Sequence, residues 1–234
     1  MTTALQICDR TISTDNIIPL LTRYRLMPQL LRELVIDGAI ADIDYTDDDL
    51  ANFRAQVEEA QHPEADIDED ALIRAFKIQT FKRRKFGPHI RSTFLQRKAQ
   101  LEQIIYSLLR THDQGLAYEM YFRIQEDEQA FAAAATLYSE GPEAHTAGLV
   151  GPVDLGSHDD EFAQFLNTRQ VGELTLPTRL GPWFIVLRIE EKIPARLDEA
   201  MEQRLLHDLF EAWVDEQVEA ALPRAGGSIA LSTR

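Results

Sequence analysis

The chain has 234 residues, of which 44% are hydrophobic, and it is long enough to bury the cores of two modest domains. Its formal net charge of −15, from 24 basic and 39 acidic side chains, argues against a general affinity for nucleic acid or for an anionic membrane. The single cysteine, Cys8, excludes an internal disulfide framework and a cysteine-rich zinc site, and the lack of a signal-like start or of roughly 20 consecutive apolar residues predicts a soluble cytoplasmic protein without a membrane span.

The first hundred residues have the spacing of amphipathic helices. Apolar residues recur at helical intervals after the capping cluster at 13–15 and again after Pro28 and Thr46. A fourth helix begins at Asp66–Asp70, and Gly87-Pro88 separates it from a fifth over Arg91–Leu101. We therefore predict an all-helical module over residues 1–102.

The charge changes sign inside this module. Residues 42–70 contain 12 acidic side chains and one basic side chain, whereas residues 77–98 contain eight basic side chains and no acidic one. The acidic run lacks the glycine of a calcium loop and is interpreted as a solvated face. The basic run includes Lys82, Arg83, Arg84 and Lys85, a candidate patch for nucleic acid or an acidic peptide. Because phenylalanines interleave with these cations, we favour a helix that packs within its own domain.

Strands and helices alternate from residue 103 onward. Gln103–Arg110 is typical of a strand, Leu116–Glu126 and Gln129–Ser139 of two helices, and the apolar AGLVGPV segment of a second strand. Asp159–Arg169 predicts another helix, and a hairpin through Pro177 leads to the strand Trp183–Ile189. The predicted order is βααβαββ over residues 103–194.

The clearest amphipathic helix of the sequence is Asp198–Leu222. Its apolar residues form two adjacent rows with i, i+4 spacing, the first from Met201 to Trp213 and the second from Leu206 to Val218. A stripe of this width needs a partner surface, and we predict that the helix returns to complete the module of residues 1–102. The Gly/Ser-rich residues 223–234 are predicted to form a loose tail.

Several of these segments together resemble the parvulin-type peptidyl-prolyl isomerases. The similarity lies in AGLVGPV, a helix that ends in VGEL, Pro177, a strand that begins at Gly181, and the FAAAATLYSEG segment of Phe131–Gly141. It covers about 104–190. The flanking helices resemble those of parvulin-containing foldases and periplasmic chaperones, which implies an α+β fold with the isomerase domain inserted between an N-terminal helical module and its returning C-terminal helix.

The resemblance also implies where a site would lie and how much of it is lost. The two histidines of the family fall on Ser107 and Trp183, and its loop cysteine or aspartate falls near Gly141, beside Glu140. The remaining correspondences are a pocket methionine at His158, a retained pocket phenylalanine at Phe162 and a turn aspartate at Leu149. The candidate groove residues are therefore Ser107, Leu149, His158, Phe162, Leu166 and Trp183.

Two expectations about this groove follow from strand alternation. Trp183 should lie on the groove side, and Ser107 should lie opposite it and accept its indole N–H. Trp183 is either a groove wall or a residue that only fills the core, and His158 is either a substitute donor or an exposed histidine at a helix start; these alternatives remain open at this point.

Three functions are compatible with the sequence. The favoured one is a parvulin-like folding or assembly factor that binds polypeptide and has weak or absent prolyl isomerase activity. The others are an active isomerase that works through groove shape and desolvation, and an adaptor for one folded client. None of them needs a metal or a cofactor, because rotation of an amide bond requires neither.

Overall fold

In the computed structural model, residues 3–7, 10–60 and 68–222 are described. The chain divides into two compact units, one formed by residues 1–90 and 199–234 and the other by residues 91–198. Cys8 and the predicted tail at 223–234 lie outside the described residues, and the predicted domain limits of 102 and 103–194 stay predictions.

The first unit contains a short hairpin and five helices. Strands β1 (Thr3–Ile7) and β2 (Arg10–Ser13) pair antiparallel. The helices are α1 (Ile17–Arg23), α2 (Met27–Ile40), α3 (Asp47–Ala60), α4 (Glu69–Phe86) and, from the C-terminal part of the chain, α9 (Glu199–Ala221). The prediction of an all-helical module is therefore wrong for its first residues. The sequence of β1, Thr-Ala-Leu-Gln-Ile, does not alternate strictly between polar and apolar residues, so no period of two indicates a strand there.

Helix α9 packs against α2 and α4, where its apolar rows find the partner surface that they require. Phe210, Val214 and Val218 are buried together with Ile36 and Ile40 of α2. Burial of one such side chain contributes about 1.5–3 kcal/mol, so this cluster is the main apolar contribution to the helical unit. No described helix is long and apolar enough to cross a membrane.

The second unit is a four-stranded antiparallel sheet with helices on both faces. Its strands are β3 (Gln103–Thr111), β4 (Leu149–Asp154), β5 (Thr178–Leu180) and β6 (Trp183–Ile193), in the order β4-β3-β6-β5. Its helices are α5 (Ile90–Leu101, which begins at the unit boundary), α6 (Gln114–Gln125), α7 (Phe131–Tyr138) and α8 (Asp160–Asn167). From β3 onward the element order is βααβαββ, so the predicted α+β fold is confirmed.

Side chains of the central strands alternate between two apolar clusters. Tyr106 and Leu108 of β3 face Leu166 of α8, whereas Leu109 faces Met120 of α6 on the opposite side of the sheet. A step of one residue along β3 or β6 therefore decides whether a side chain belongs to the α8 face or to the α6–α7 face.

Candidate functional site

A groove of about 360 Å³ opens on the α8 face of the sheet. Leu108 and Ile185 come from the two central strands, Phe162 from α8 and Trp183 from the start of β6. The complete lining is Leu108, Arg110, Asp159, Glu161, Phe162, Leu180, Gly181, Pro182, Trp183 and Ile185. This is a concave, largely apolar surface with a few charged groups, the usual form of a ligand site.

Local sequence features fix both aromatic walls of the groove. The Asp159 carboxylate accepts a hydrogen bond from the Phe162 backbone N–H at 2.9 Å, so it caps α8 and sets the position of the ring. On the other side, Gly181 has a φ of +56°, a left-handed conformation that favours glycine, in the turn that leads into Trp183. Leu180 and Trp183 pair across this turn.

Four of the six predicted groove residues lie on this face. Phe162 and Trp183 are both half-buried and line the groove, and Leu166 is fully buried in the core behind Phe162. The His158 ring lies 5.1 Å from the Phe162 ring and 5.9 Å from the Tyr106 ring. Trp183 is thus not a simple core filler, and His158 is not an exposed helix-start histidine.

His158 and Tyr106 support the wall of Phe162 as uncharged groups. Burial lowers the pKa of His158, against the smaller opposing effect of Asp159, and its Nε2 atom is buried without a hydrogen-bond partner among the described residues. Burial raises the pKa of Tyr106 to about 12. Both rings therefore serve as apolar packing for Phe162 near neutral pH.

The other two predicted residues lie elsewhere. Ser107 pairs with Arg188 of β6, and its hydroxyl donates a hydrogen bond to Glu190 at 2.5 Å. Leu149 pairs with Ser107 at the start of β4 and is half exposed. The expected hydrogen bond from the Trp183 indole to Ser107 is therefore not formed. Ser107 precedes Leu108 by one residue and so faces the opposite side of the sheet.

An ion pair that was not predicted borders the groove at the end of β3. The guanidinium of Arg110 donates through Nε at 2.9 and 3.0 Å and through Nη2 at 2.6 Å to the carboxylate of Glu143. Glu143 is buried, and the Ser139 hydroxyl donates a further hydrogen bond to it at 2.5 Å. At Gly141 a Cβ atom would collide with the contacting atoms of both partners, so a side chain there would force the ion pair to shift.

A second polar pair lies beside Trp183. The Glu140 carboxylate accepts hydrogen bonds from the Thr111 hydroxyl and from His112, at 3.0 Å from its backbone N–H and 2.7 Å from Nδ1. These hydrogen bonds lower the pKa of Glu140 to about 2, the one from Thr111 having the largest effect. The centres of the His112 and Trp183 rings are 3.8 Å apart, and the ring planes are tilted by 43°.

The sequence carried a signal for these polar residues. Alternation along β3 from Leu108 places Arg110 on the α8 face, and His112 follows at the next position of the same period. Glu143 lies in the loop that the family resemblance had already marked. The resemblance aligns a family histidine with Ser107, whereas the polar residues of the site lie at the end of β3.

The basic run in α4 is partly engaged inside its own unit. The ammonium of Lys82 lies 4.6 Å from the ring of Phe210, and that of Lys85 lies 4.5 Å from the ring of Trp213, both in α9. Burial lowers the pKa of Lys82. The two arginines between these lysines are exposed. Half of the candidate partner patch therefore contributes cation–π contacts to the packing of α9.

Within the described residues, no group of three or more His, Cys, Asp or Glu side chains is arranged to hold a metal ion. The charged residues that line the groove are Arg110, Asp159 and Glu161, and the Arg110–Glu143 and His112–Glu140 pairs border it. Such groups can hold or orient a polypeptide, and the groove walls can take an apolar ring.

Comparison with known proteins finds one family model that resembles this unit. Residues 91–191 match the family model of the Rotamase, PPIC-type PPIASE domain. This part of the chain is similar to a PPIC-type rotamase domain. The match covers less than half of the 234 residues and does not extend to the helices of the first unit. No curated protein matches the chain.

Several solved structures are similar to the chain at low identity. Peptidylprolyl isomerase PrsA from Bacillus cereus is 15% identical, with 98% of this chain and 94% of that chain covered and a TM-score of 0.43. The foldase protein PrsA from Streptococcus pneumoniae is 10% identical, with 97% and 96% covered and a TM-score of 0.42. A Campylobacter jejuni structure reported with the SurA-like chaperones PEB4 and Cj1289 is 15% identical, with 98% and 100% covered and a TM-score of 0.37. At these TM-scores the similarities carry no functional weight.

Proposed function

We propose that this protein is a folding or assembly factor whose rotamase domain binds polypeptide in the Phe162–Trp183 groove, with weak or absent prolyl isomerase activity. The observation that carries the proposal is that the groove has two aromatic walls and an apolar base, while no histidine of the described residues lines it. An apolar side chain or a proline ring fits between such walls.

The weak activity follows from what catalysis of amide rotation requires. The barrier of about 18–20 kcal/mol arises from amide resonance, and an enzyme lowers it only by binding the twisted amide more tightly than the planar one. Loss of one preorganised donor costs about 2.7–4 kcal/mol in other enzymes, or two to three decades of rate. Serine on the opposite face and tryptophan at the groove replace both family histidines here, so binding should survive where catalysis does not.

One observation favours an active isomerase as the second candidate. The His112 ring lies tilted against Trp183 and donates from Nδ1 to Glu140, so Nε2 of the neutral ring is an oriented acceptor near the groove. His112 does not line the groove, which is why we rank this candidate second. An adaptor for a single folded client stays a third possibility.

Titration of the isotopically labelled protein with an apolar, proline-containing peptide tests where polypeptide binds. We expect amide shifts to change around Phe162 and Trp183, with an affinity that hardly depends on ionic strength. Binding through the basic run would instead weaken between low and moderate salt. A client that tolerates Phe162→Ala but is lost when the charges of Lys82, Arg83, Arg84 and Lys85 are reversed would place recognition on the helical unit and refute the proposal. The cytoplasmic location remains a prediction.

A further inference from the structure

We propose that Arg110 is the residue of the groove that binds the client's backbone, by donating from Nη1 to the carbonyl oxygen of the amide bond that precedes the anchoring proline. This inference rests on the proposed function, because it concerns a polypeptide already seated between Phe162 and Trp183. This hydrogen bond gives the groove a specificity for a backbone carbonyl oxygen, which its aromatic walls do not supply.

The first argument is the rigid presentation of the guanidinium. Glu143 occupies Nε and Nη2, and the described part of the chain offers Nη1 no hydrogen-bond partner. The planar fork is thereby fixed on one edge, and Arg110 is one of the residues that line the groove. Its guanidinium carbon also lies 5.5 Å from the ring centre of Trp183. A donor held in this way loses little conformational entropy when a ligand accepts from it.

The second argument concerns the charge of the ligand. Among the residues that the structure describes, Arg110 is the only cationic side chain that lines the groove, and the buried carboxylate of Glu143 neutralises it. Asp159 and Glu161 add two carboxylates to the same lining. A phosphate or carboxylate entering the groove would therefore meet a net negative surface. A neutral amide carbonyl is the acceptor that suits this arrangement, and anionic ligands are disfavoured.

The third argument links this contact to poor catalysis. In the planar amide, resonance places negative charge on the carbonyl oxygen, and rotation about the C–N bond removes it. A cation that donates to this oxygen stabilises the planar ground state more than the twisted transition state. Such a contact improves binding without accelerating rotation. Arg110 thus binds the planar amide of an Xaa–Pro segment without accelerating the exchange of its isomers.

The test combines a change in the protein with a change in the peptide. The protein variant is Arg110→Lys, since an ammonium can pair with Glu143 but has no second edge with which to donate in the same geometry. The double variant Arg110→Gln with Glu143→Gln removes both charges together and avoids an unpaired buried carboxylate. The peptide variant replaces the carbonyl before proline with a thiocarbonyl, a weaker hydrogen-bond acceptor.

We expect the wild-type protein to lose about threefold or more in affinity for the thio-peptide, and both protein variants to bind the two peptides equally. Loss of a charge-assisted donor should also weaken binding of the ordinary peptide by about ten- to a hundredfold. A residue with only a structural role would not remove the discrimination between the two peptides.

Two results would overturn the inference while the proposed function stands. The first is an equal loss for the thio-peptide in wild type and variants, which would point to another donor such as the Trp183 indole. The second is unchanged affinity in Arg110→Lys. If the ordinary peptide does not bind wild type, or binds it regardless of Phe162→Ala, the proposed function fails and the inference fails with it.

Discussion

The comparison of Phe162→Ala with Phe165→Ala separates a role in binding from a role in the fold. Both phenylalanines lie on α8, both are half-buried against the same apolar cluster, and their rings stack with centres 6.4 Å apart. Only Phe162 lines the groove. Phe165→Ala is therefore a matched control for the truncation of a half-buried ring on α8 that does not line the groove.

The two variants should lose similar amounts of stability but very different amounts of peptide affinity. Truncation of a fully buried phenylalanine costs about 3–5 kcal/mol, so two half-buried rings should each cost about half of that in free energy of unfolding. For peptide affinity, loss of an aromatic anchor typically costs about 2 kcal/mol or more, roughly thirtyfold in Kd. We expect this binding loss in Phe162→Ala and a change of less than about twofold in Phe165→Ala.

Urea unfolding followed by far-ultraviolet circular dichroism gives the stabilities, and fluorescence anisotropy of a labelled proline-containing peptide gives the affinities. The binding measurements are made where both variants remain folded. If the two variants lose affinity equally, binding follows the stability of the domain and not the groove. If neither loses affinity, the groove is not where the peptide binds.

Three further changes test other parts of the structure. Gly141→Ala should destabilise the protein by about 1–3 kcal/mol in urea unfolding, because the new Cβ collides with the buried ion pair. Gly38→Ala is the control: Gly38 lies within helix α2, a Cβ atom there meets no other atom, and the protein should become more stable by about 0.5–1 kcal/mol. The pKa of Glu140 is about 2, below its usual value of 4.5, so the contribution of Glu140 to stability is complete above pH 4.5 and is lost as the pH falls towards 2. The difference in free energy of unfolding between wild type and Glu140→Gln should therefore shrink from pH 4.5 to pH 2. Phe210→Ala in α9 should cost the helical unit about 3–5 kcal/mol, and the fluorescence of Trp213 in a Trp183→Phe background would report that unit alone.

The architecture could be predicted from the sequence because its strongest signals are local. The two apolar rows of Asp198–Leu222 predicted a helix that packs against a partner surface. The alternation of predicted strands and helices from residue 103 onward predicted the sheet. The β1–β2 hairpin could not be found in the same way, because the sequence of β1 does not alternate strictly between polar and apolar residues.

The site was predictable only in its apolar part. Phe162 and Trp183 could be placed because helical spacing and strand alternation define a face. The prediction for Ser107 was wrong because alignment with a family histidine does not determine the face of the sheet on which a side chain lies. Side chains alternate along β3, so if Leu108 faces the groove, Ser107 faces the opposite side. The Arg110–Glu143 pair joins residues 33 positions apart, so its geometry depends on the fold.

The central claim, that the groove binds polypeptide without efficient isomerisation, is tested most directly by NMR exchange spectroscopy on an Xaa-Pro peptide at substoichiometric protein. The same spectra report binding through line broadening and isomerisation through exchange between the cis and trans resonances. We predict broadening that Phe162→Ala abolishes, with an exchange rate close to that of the free peptide, on the order of once in tens of seconds or slower. Exchange accelerated by several decades and lost in Phe162→Ala would contradict the claim and identify the protein as an active isomerase.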